Sequence, residues 1–318
     1  MTLFQWHGGP ATLRFESVLE PVELHRRGDV WVAEVDLPAR LRVTYHFLCD
    51  GEEHADPLNP EGAGPNRSIF STPDLEPQPH WPVVGPDEVL DLPSSRIRWN
   101  GSLGRKTVRV HQGGEPVVLL LDGDDWMYSH PAVAAFESAV KNGEMPPTTL
   151  VFLPTPRDRD AEYSSPALWQ AIQDELLPLL AENGVTVDLS RFVVAGQSLG
   201  GLSAFQAALD FPSLVSKVAC QSGSFWYARD LPGHGIALDG PAGGDTAARL
   251  PGLDLSGLRV AFDVGEHEPA MHRHCAAVEE LTAAAGATVR VNRSPAGHDR
   301  VGWRHALVRD VAWLLSDL

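Results

Sequence analysis

Apolar positions along this chain change their period near residue 100. Before it they alternate: Val30, Val32 and Val35 lie beside a turn at Arg27-Gly28-Asp29, and Leu41, Val43, Tyr45, Phe47 and Cys49 fall on one face of a period-two run. Alternation of this kind belongs to antiparallel strands with one face turned to a core, and it predicts a small Ig-like β-sandwich. A stretch of turn formers follows, from Asp56-Pro57-Leu58-Asn59-Pro60 through Pro73, Pro77, Pro79 and Pro82. It predicts an ordered linker that closes a first domain at 1–86. From Thr107-Val108-Arg109-Val110 onward, short apolar runs alternate with helical patterns: strands at 117–121 and 149–153, helices at 132–142 and 167–181, strands at 192–195, 258–265 and 288–292, and a final amphipathic helix at 304–315. That order predicts an α/β domain over 87–318, a largely parallel sheet covered by helices on both faces.

One junction in this pattern carries chemistry. Gly196-Gln197-Ser198-Leu199-Gly200 stands between the apolar run Phe192-Val193-Val194-Ala195 and the helical pattern at 202–209. A serine on so tight a strand-to-helix turn, flanked by glycines that let the two elements close together, is the nucleophile arrangement of the α/β-hydrolase fold. One hundred positions on, His298 sits between Gly297 and Asp299 in the loop after the last expected strand. It alone among the thirteen histidines combines that position with a glycine-flanked loop. Between the two lies the strand at 258–265, which leads into Glu266-His267-Glu268. The order serine, acid, histidine is that of the hydrolases, with His298 to take the Ser198 proton and a carboxylate to fix the imidazole. Glu268, Glu266 and Asp263 are the candidate acids. Asp299, next to the histidine, fits a loop cap or a substrate-side group.

Composition narrows the partners. The chain has 318 residues, 43% hydrophobic and 21% charged, with a formal net charge of −17. That charge opposes nucleic acid and anionic membrane, and it opposes an anionic substrate unless basic residues gather at the site. The first ten residues have neither a basic start nor a long apolar run, so a cytoplasmic protein without a membrane span is expected. Cys49, Cys220 and Cys275 are odd in number and far apart, as reduced thiols are. His267-Glu268 begins like a zinc-protease motif, but position 271 is Met271 and His272 falls one step beyond the helical face the motif requires. No metal ligand set is expected.

Further segments carry a family likeness: Leu120-Leu121-Asp122-Gly123 with Trp126, the run 192–204 around Ser198, Gln221-Ser222-Gly223-Ser224-Phe225-Trp226, and Gly297-His298-Asp299 with Trp303-Arg304. With Asp56-Pro57-Leu58-Asn59-Pro60 and Pro77-Gln78-Pro79-His80-Trp81 in the first domain, the chain resembles the enterochelin (ferric enterobactin) esterases, a branch of the esterase D group of α/β-hydrolases. The likeness spans most of 100–318, and the first domain is shorter than in the family's larger members. It implies a serine esterase that opens an imported ferric catecholate trilactone, with iron present only as part of the small-molecule substrate and no cofactor. It aligns Glu268-Pro269 with the family's acid. It implies an oxyanion hole from the backbone N–H of Leu199 and a second at Asp125 or Trp126. Arg159 with Glu162 resembles a family pair, read either as an exposed salt bridge or, with Arg304 and Arg273, as positive charge for a trianion. Trp126, Trp226 and Trp303 are either packing residues or walls for catechol rings. Two other functions stay open: a general esterase or acyltransferase of the same group, and a siderophore- or carbohydrate-binding protein without catalysis.

Overall fold

The computed structural model describes residues 1–316 apart from 87, 89, 91 and 230–237. Its centre is an eight-stranded sheet in the order Thr288–Ser294, Arg259–Gly265, Lys217–Gln221, Phe192–Gln197, Val117–Leu120, Thr149–Phe152, Gly104–His111, Ser95–Gly101. The first six run parallel, and the last two form a hairpin antiparallel to their neighbours. The strand Val117–Leu120 shows why the parallel part reads as unbroken apolar runs: Val117 and Leu119 enter one buried cluster, Val118 and Leu120 the cluster on the opposite face. Helices cover both faces, which is the α/β-hydrolase arrangement. The hairpin begins earlier than the pattern predicts, because Arg96, Arg98 and Arg105 alternate with its few buried residues on an exposed edge.

Several helix bounds move for local reasons. The expected helix at 167–181 is a continuous helical run, Ala167–Ala171, a widened turn Ile172–Leu176, then Leu177–Glu182. Pro178 lacks the N–H that would close the preceding turn, and the turn opens. The last helix starts at Arg300 rather than 304, because the Asp299 carboxylate accepts the Val301 N–H at 3.2 Å and caps it. The helix Pro269–Ala284 lies outside the expected pattern, although Met271, Cys275, Val278 and Thr282 form its buried stripe. Among the described residues no helix is long and apolar enough to cross a membrane.

The N-terminal strands make two antiparallel sheets. Phe4, Ala33 and Val35 of one share an apolar cluster with Leu13, Phe15, Val43, Tyr45 and Phe47 of the other. The strand Arg42–Cys49 is buried on its second face too, because the last helix of the large sheet lies there. Thr44 donates its N–H (2.6 Å) and its hydroxyl (3.0 Å) to Asp299. Gln78 donates to the Val301 carbonyl at 2.8 Å, and Trp81 joins a cluster of the large sheet. Both residues lie before the expected boundary at 86, and residue 87, which begins the expected second domain, lies outside the described residues.

Candidate active site

Ser198 follows the strand Phe192–Gln197 and opens the helix Leu199–Asp210 with φ 57° and ψ −121°. A non-glycine residue there costs roughly 1–3 kcal/mol, so the surroundings must impose it. They do: its N–H donates to the Gln221 carbonyl (2.9 Å), and its carbonyl accepts from Leu202 and Ser224 (3.0 Å each). Gly196 is needed, since a Cβ on it would lie 2.2 Å from the Gly200 carbonyl oxygen. The strands on either side end in like fashion, at Asp122 (φ 50°) and Ser222 (φ 45°). The Ser198 hydroxyl lies 3.3 Å from that of Ser224.

The structure brings His298 to Glu268, with Nδ1 at 2.6 Å from Oε2. The other oxygen, Oε1, accepts the Gly265 N–H (2.8 Å) and the Ser222 hydroxyl (2.6 Å). Glu268 is buried while His298 keeps about a third of its side chain exposed, so the imidazole faces solvent and the carboxylate does not. The competing acids are engaged elsewhere. Asp263 is held by the Ser294 hydroxyl at 2.8 and 2.9 Å, and burial pushes its carboxyl up to about 7. Glu266 pairs with Arg40 at 3.7 Å. Asp299 is a cap and a tether to Thr44, and burial raises it to about 6.

The donors for an oxyanion are less evenly matched to expectation. Leu199 is the first residue of its helix, where N–H groups have no intrahelical acceptor. The Asp125 N–H, by contrast, donates to the Asp122 carbonyl at 3.1 Å within its own turn and is engaged there. The Trp126 ring is fully buried with its indole N–H on Gln197 at 3.0 Å, so it offers no stacking face. Trp303 is 5% exposed; its ring meets His298 edge-on at 4.9 Å, and its N–H donates to Ser222 at 2.8 Å. Its ring and its N–H are thus engaged by His298 and Ser222. Trp226 is half-buried against the core.

The arginines expected to hold an anion are paired. Arg159 grips the buried Asp122 at 2.7 Å, and Arg304, 3% exposed, bonds Gln78 and Glu61. Arg273 lies on the carbonyls of Leu238 and Gly240. Glu162 pairs with Lys106 at 2.7 Å, not with Arg159. A cleft of about 210 Å³ opens beside His298, lined by Glu16, Ala63 and Arg67 from the N-terminal part and by Asp125, His130 and Arg300 from the other. Arg300 pairs with Asp125, and Arg67 with Glu16 and Glu53. Sequence reasoning gave no role to Arg67 or Arg300, and it quoted Ser222 and Ser224 only as part of a family-like segment. Arg300 stood two residues past the histidine, whereas Arg67 carried no local signal.

A family model described as "Putative esterase" matches residues 103–314. An iron(III) enterobactin esterase of Escherichia coli (strain K12) is 30% identical over 281 residues, which cover 83% of this chain and 68% of that protein. One of Dickeya dadantii (strain 3937) is 31% identical over 291 residues, 82% of this chain and 65% of that one. The crystal structure of the Shigella flexneri enterobactin esterase in the presence of enterobactin matches with a TM-score of 0.82 and 25% identity, over 99% of this chain and 92% of that chain.

Proposed function

The chain belongs to this esterase family, and from that premise we propose that it hydrolyses the ester bonds of a catecholate trilactone of the enterobactin kind, which helps release the iron the lactone carries. The observation that supports the reading most is the 2.6 Å contact of Glu268 with His298, on the same sheet edge as the strained Ser198 turn. Ser198 Oγ attacks the ester carbonyl while His298 Nε2 takes its proton; Glu268 accepts from Nδ1–H and stabilises the imidazolium. The oxyanion is met by the Leu199 N–H and by the turn that contains Trp126, each donor contributing about 2.7–4 kcal/mol. Collapse expels the alcohol, protonated by His298, and water then attacks the acyl-enzyme by the same route. The reaction asks for no resident cofactor, and its setting is the cytoplasm, where an imported siderophore arrives. The two N-terminal sheets form an Ig-like sandwich within 1–86, set on the hydrolase domain, 87–318; their shared apolar cluster supports the sandwich.

The test is incubation with the iron-loaded and iron-free trilactone and mass analysis of the products. Linear fragments with the native enzyme and none with Ser198→Ala are expected. Cleavage of p-nitrophenyl acetate with both lactones left intact would move the chain to the general-esterase reading.

A further inference from the structure

Beneath the serine turn runs a chain of buried side-chain hydrogen bonds whose direction is fixed at every step. The Trp126 indole donates to Gln197 Oε1 (3.0 Å), Gln197 Nε2 to Gln221 Oε1 (2.9 Å), and Gln221 Nε2 to the Trp303 carbonyl (2.7 Å). The Trp303 indole then donates to Ser222 Oγ (2.8 Å), and Ser222 to Glu268 Oε1 (2.6 Å). An indole can only donate and an ionised carboxylate can only accept, so neither glutamine amide can flip and the Ser222 proton must point at Glu268. All six side chains are at most 5% exposed.

We propose that Ser222 and Trp303 are positioning residues of the proposed ester hydrolysis, a role that rests on the reading of Ser198, His298 and Glu268 above. Ser222 Oγ–H and the Gly265 N–H both end on Oε1, which turns Oε2 to His298 Nδ1. The histidine is thereby held as the Nδ1–H tautomer, with Nε2 left to accept the serine proton. Trp303 acts twice, since its N–H orients the Ser222 hydroxyl and its ring packs edge-on against the imidazole. The glutamine pair ties this support to the turn at Trp126, so the acid and the proposed oxyanion turn are braced by one network.

Ser222→Ala, Trp303→Phe and the double variant separate this role from a merely structural one. Ser222→Ala removes a charge-assisted donor, and kcat should fall on the order of 10-fold or more with KM within about twofold. It also leaves the buried Trp303 N–H without an acceptor, so Tm falls as well. In the double variant that orphan donor is gone. Its loss of Tm should therefore be smaller than the sum of the two single losses, while its kcat stays as low as that of Ser222→Ala. The low-field proton resonance of His298 Nδ1–H should shift in both variants that lack the serine. If kcat recovers together with Tm in the double variant, or if Ser222→Ala turns over like the native enzyme with an unmoved resonance, the positioning role is refuted. Both of those results leave the function standing so long as Ser198→Ala is inactive; full activity in Ser198→Ala refutes the reading on which the role rests.

Discussion

Replacing Glu268 by Gln changes little in size, yet the geometry allows the amide only one useful orientation. The Oε1 site faces the Gly265 N–H at 2.8 Å, a backbone donor that cannot turn away. The amide oxygen must take that site, because the NH₂ group would set donor against donor. The NH₂ then occupies the place of Oε2, 2.6 Å from His298 Nδ1. Facing a donor, Nδ1 has to accept, its proton moves to Nε2, and the nitrogen that should take the Ser198 proton is blocked. A wrong tautomer in an otherwise intact serine site costs about 10⁴ in kcat, or roughly 5.5 kcal/mol of barrier. Substrate contacts are untouched, so KM should hold. Stopped assays on a small neutral ester and on the trilactone, with Tm recorded for each variant, measure this. A kcat within tenfold of native for Glu268→Gln, together with a thousandfold loss in Asp263→Asn, would show that the acid is Asp263 and that the reasoning from hydrogen-bond direction is wrong.

Three other outcomes follow from the site. Ser198→Ala and its combination with His298→Ala should lose equal activity, on the order of 10³-fold or more in kcat, since both act in one proton transfer; a further large loss in the double variant would mean two separate routes. With a net charge of −17 and the arginines of the cleft paired to carboxylates, a ferric trianion meets repulsion that salt screens. Its kcat/KM should therefore rise with ionic strength while that of a neutral ester stays flat, and a fall would reveal a locally positive site. Burial pushes the Asp263 carboxyl up from the ordinary carboxylate range to about 7, so its ionisation penalty grows as pH climbs from about 4 to about 7 and is complete above that. The Tm difference between Asp263→Asn and native should accordingly be more positive at pH 8 than at pH 4, read by calorimetry; a difference constant with pH contradicts it.

What the sequence disclosed and what it withheld divides along the range of the interactions. The Ser198 turn is written in five consecutive residues, because the close approach of Gly196 to the Gly200 carbonyl is made within them. The alternation of strands and helices follows from which faces are buried, so most of the large sheet was legible. The choice among Glu268, Glu266 and Asp263 was not, because it turns on Gly265 and on Ser222, 46 positions away. The arginines show the same limit: a guanidinium is visible in the sequence, but Arg304 is neutralised by Glu61, 243 positions off, and Arg159 by Asp122. For Trp303 the sequence left packing and a wall for a ligand ring equally open. Its N–H and its edge were already engaged by Ser222 and His298.

The tether from Thr44 to Asp299 makes the two halves inseparable in inheritance. Asp299 directly follows the histidine, and its buried carboxylate is satisfied by Thr44 from the N-terminal sheets together with the first turn of the last helix. A hydrolase half cut out at residue 95 would retain Ser198, Glu268 and His298, yet its histidine loop would end in a carboxylate that had lost the two Thr44 donors and turned toward water. Shuffling a different N-terminal module onto this scaffold, in the laboratory or in evolution, thus requires a replacement for one threonine at one register of one strand; without it the new chimera inherits the reactive residues and not their alignment.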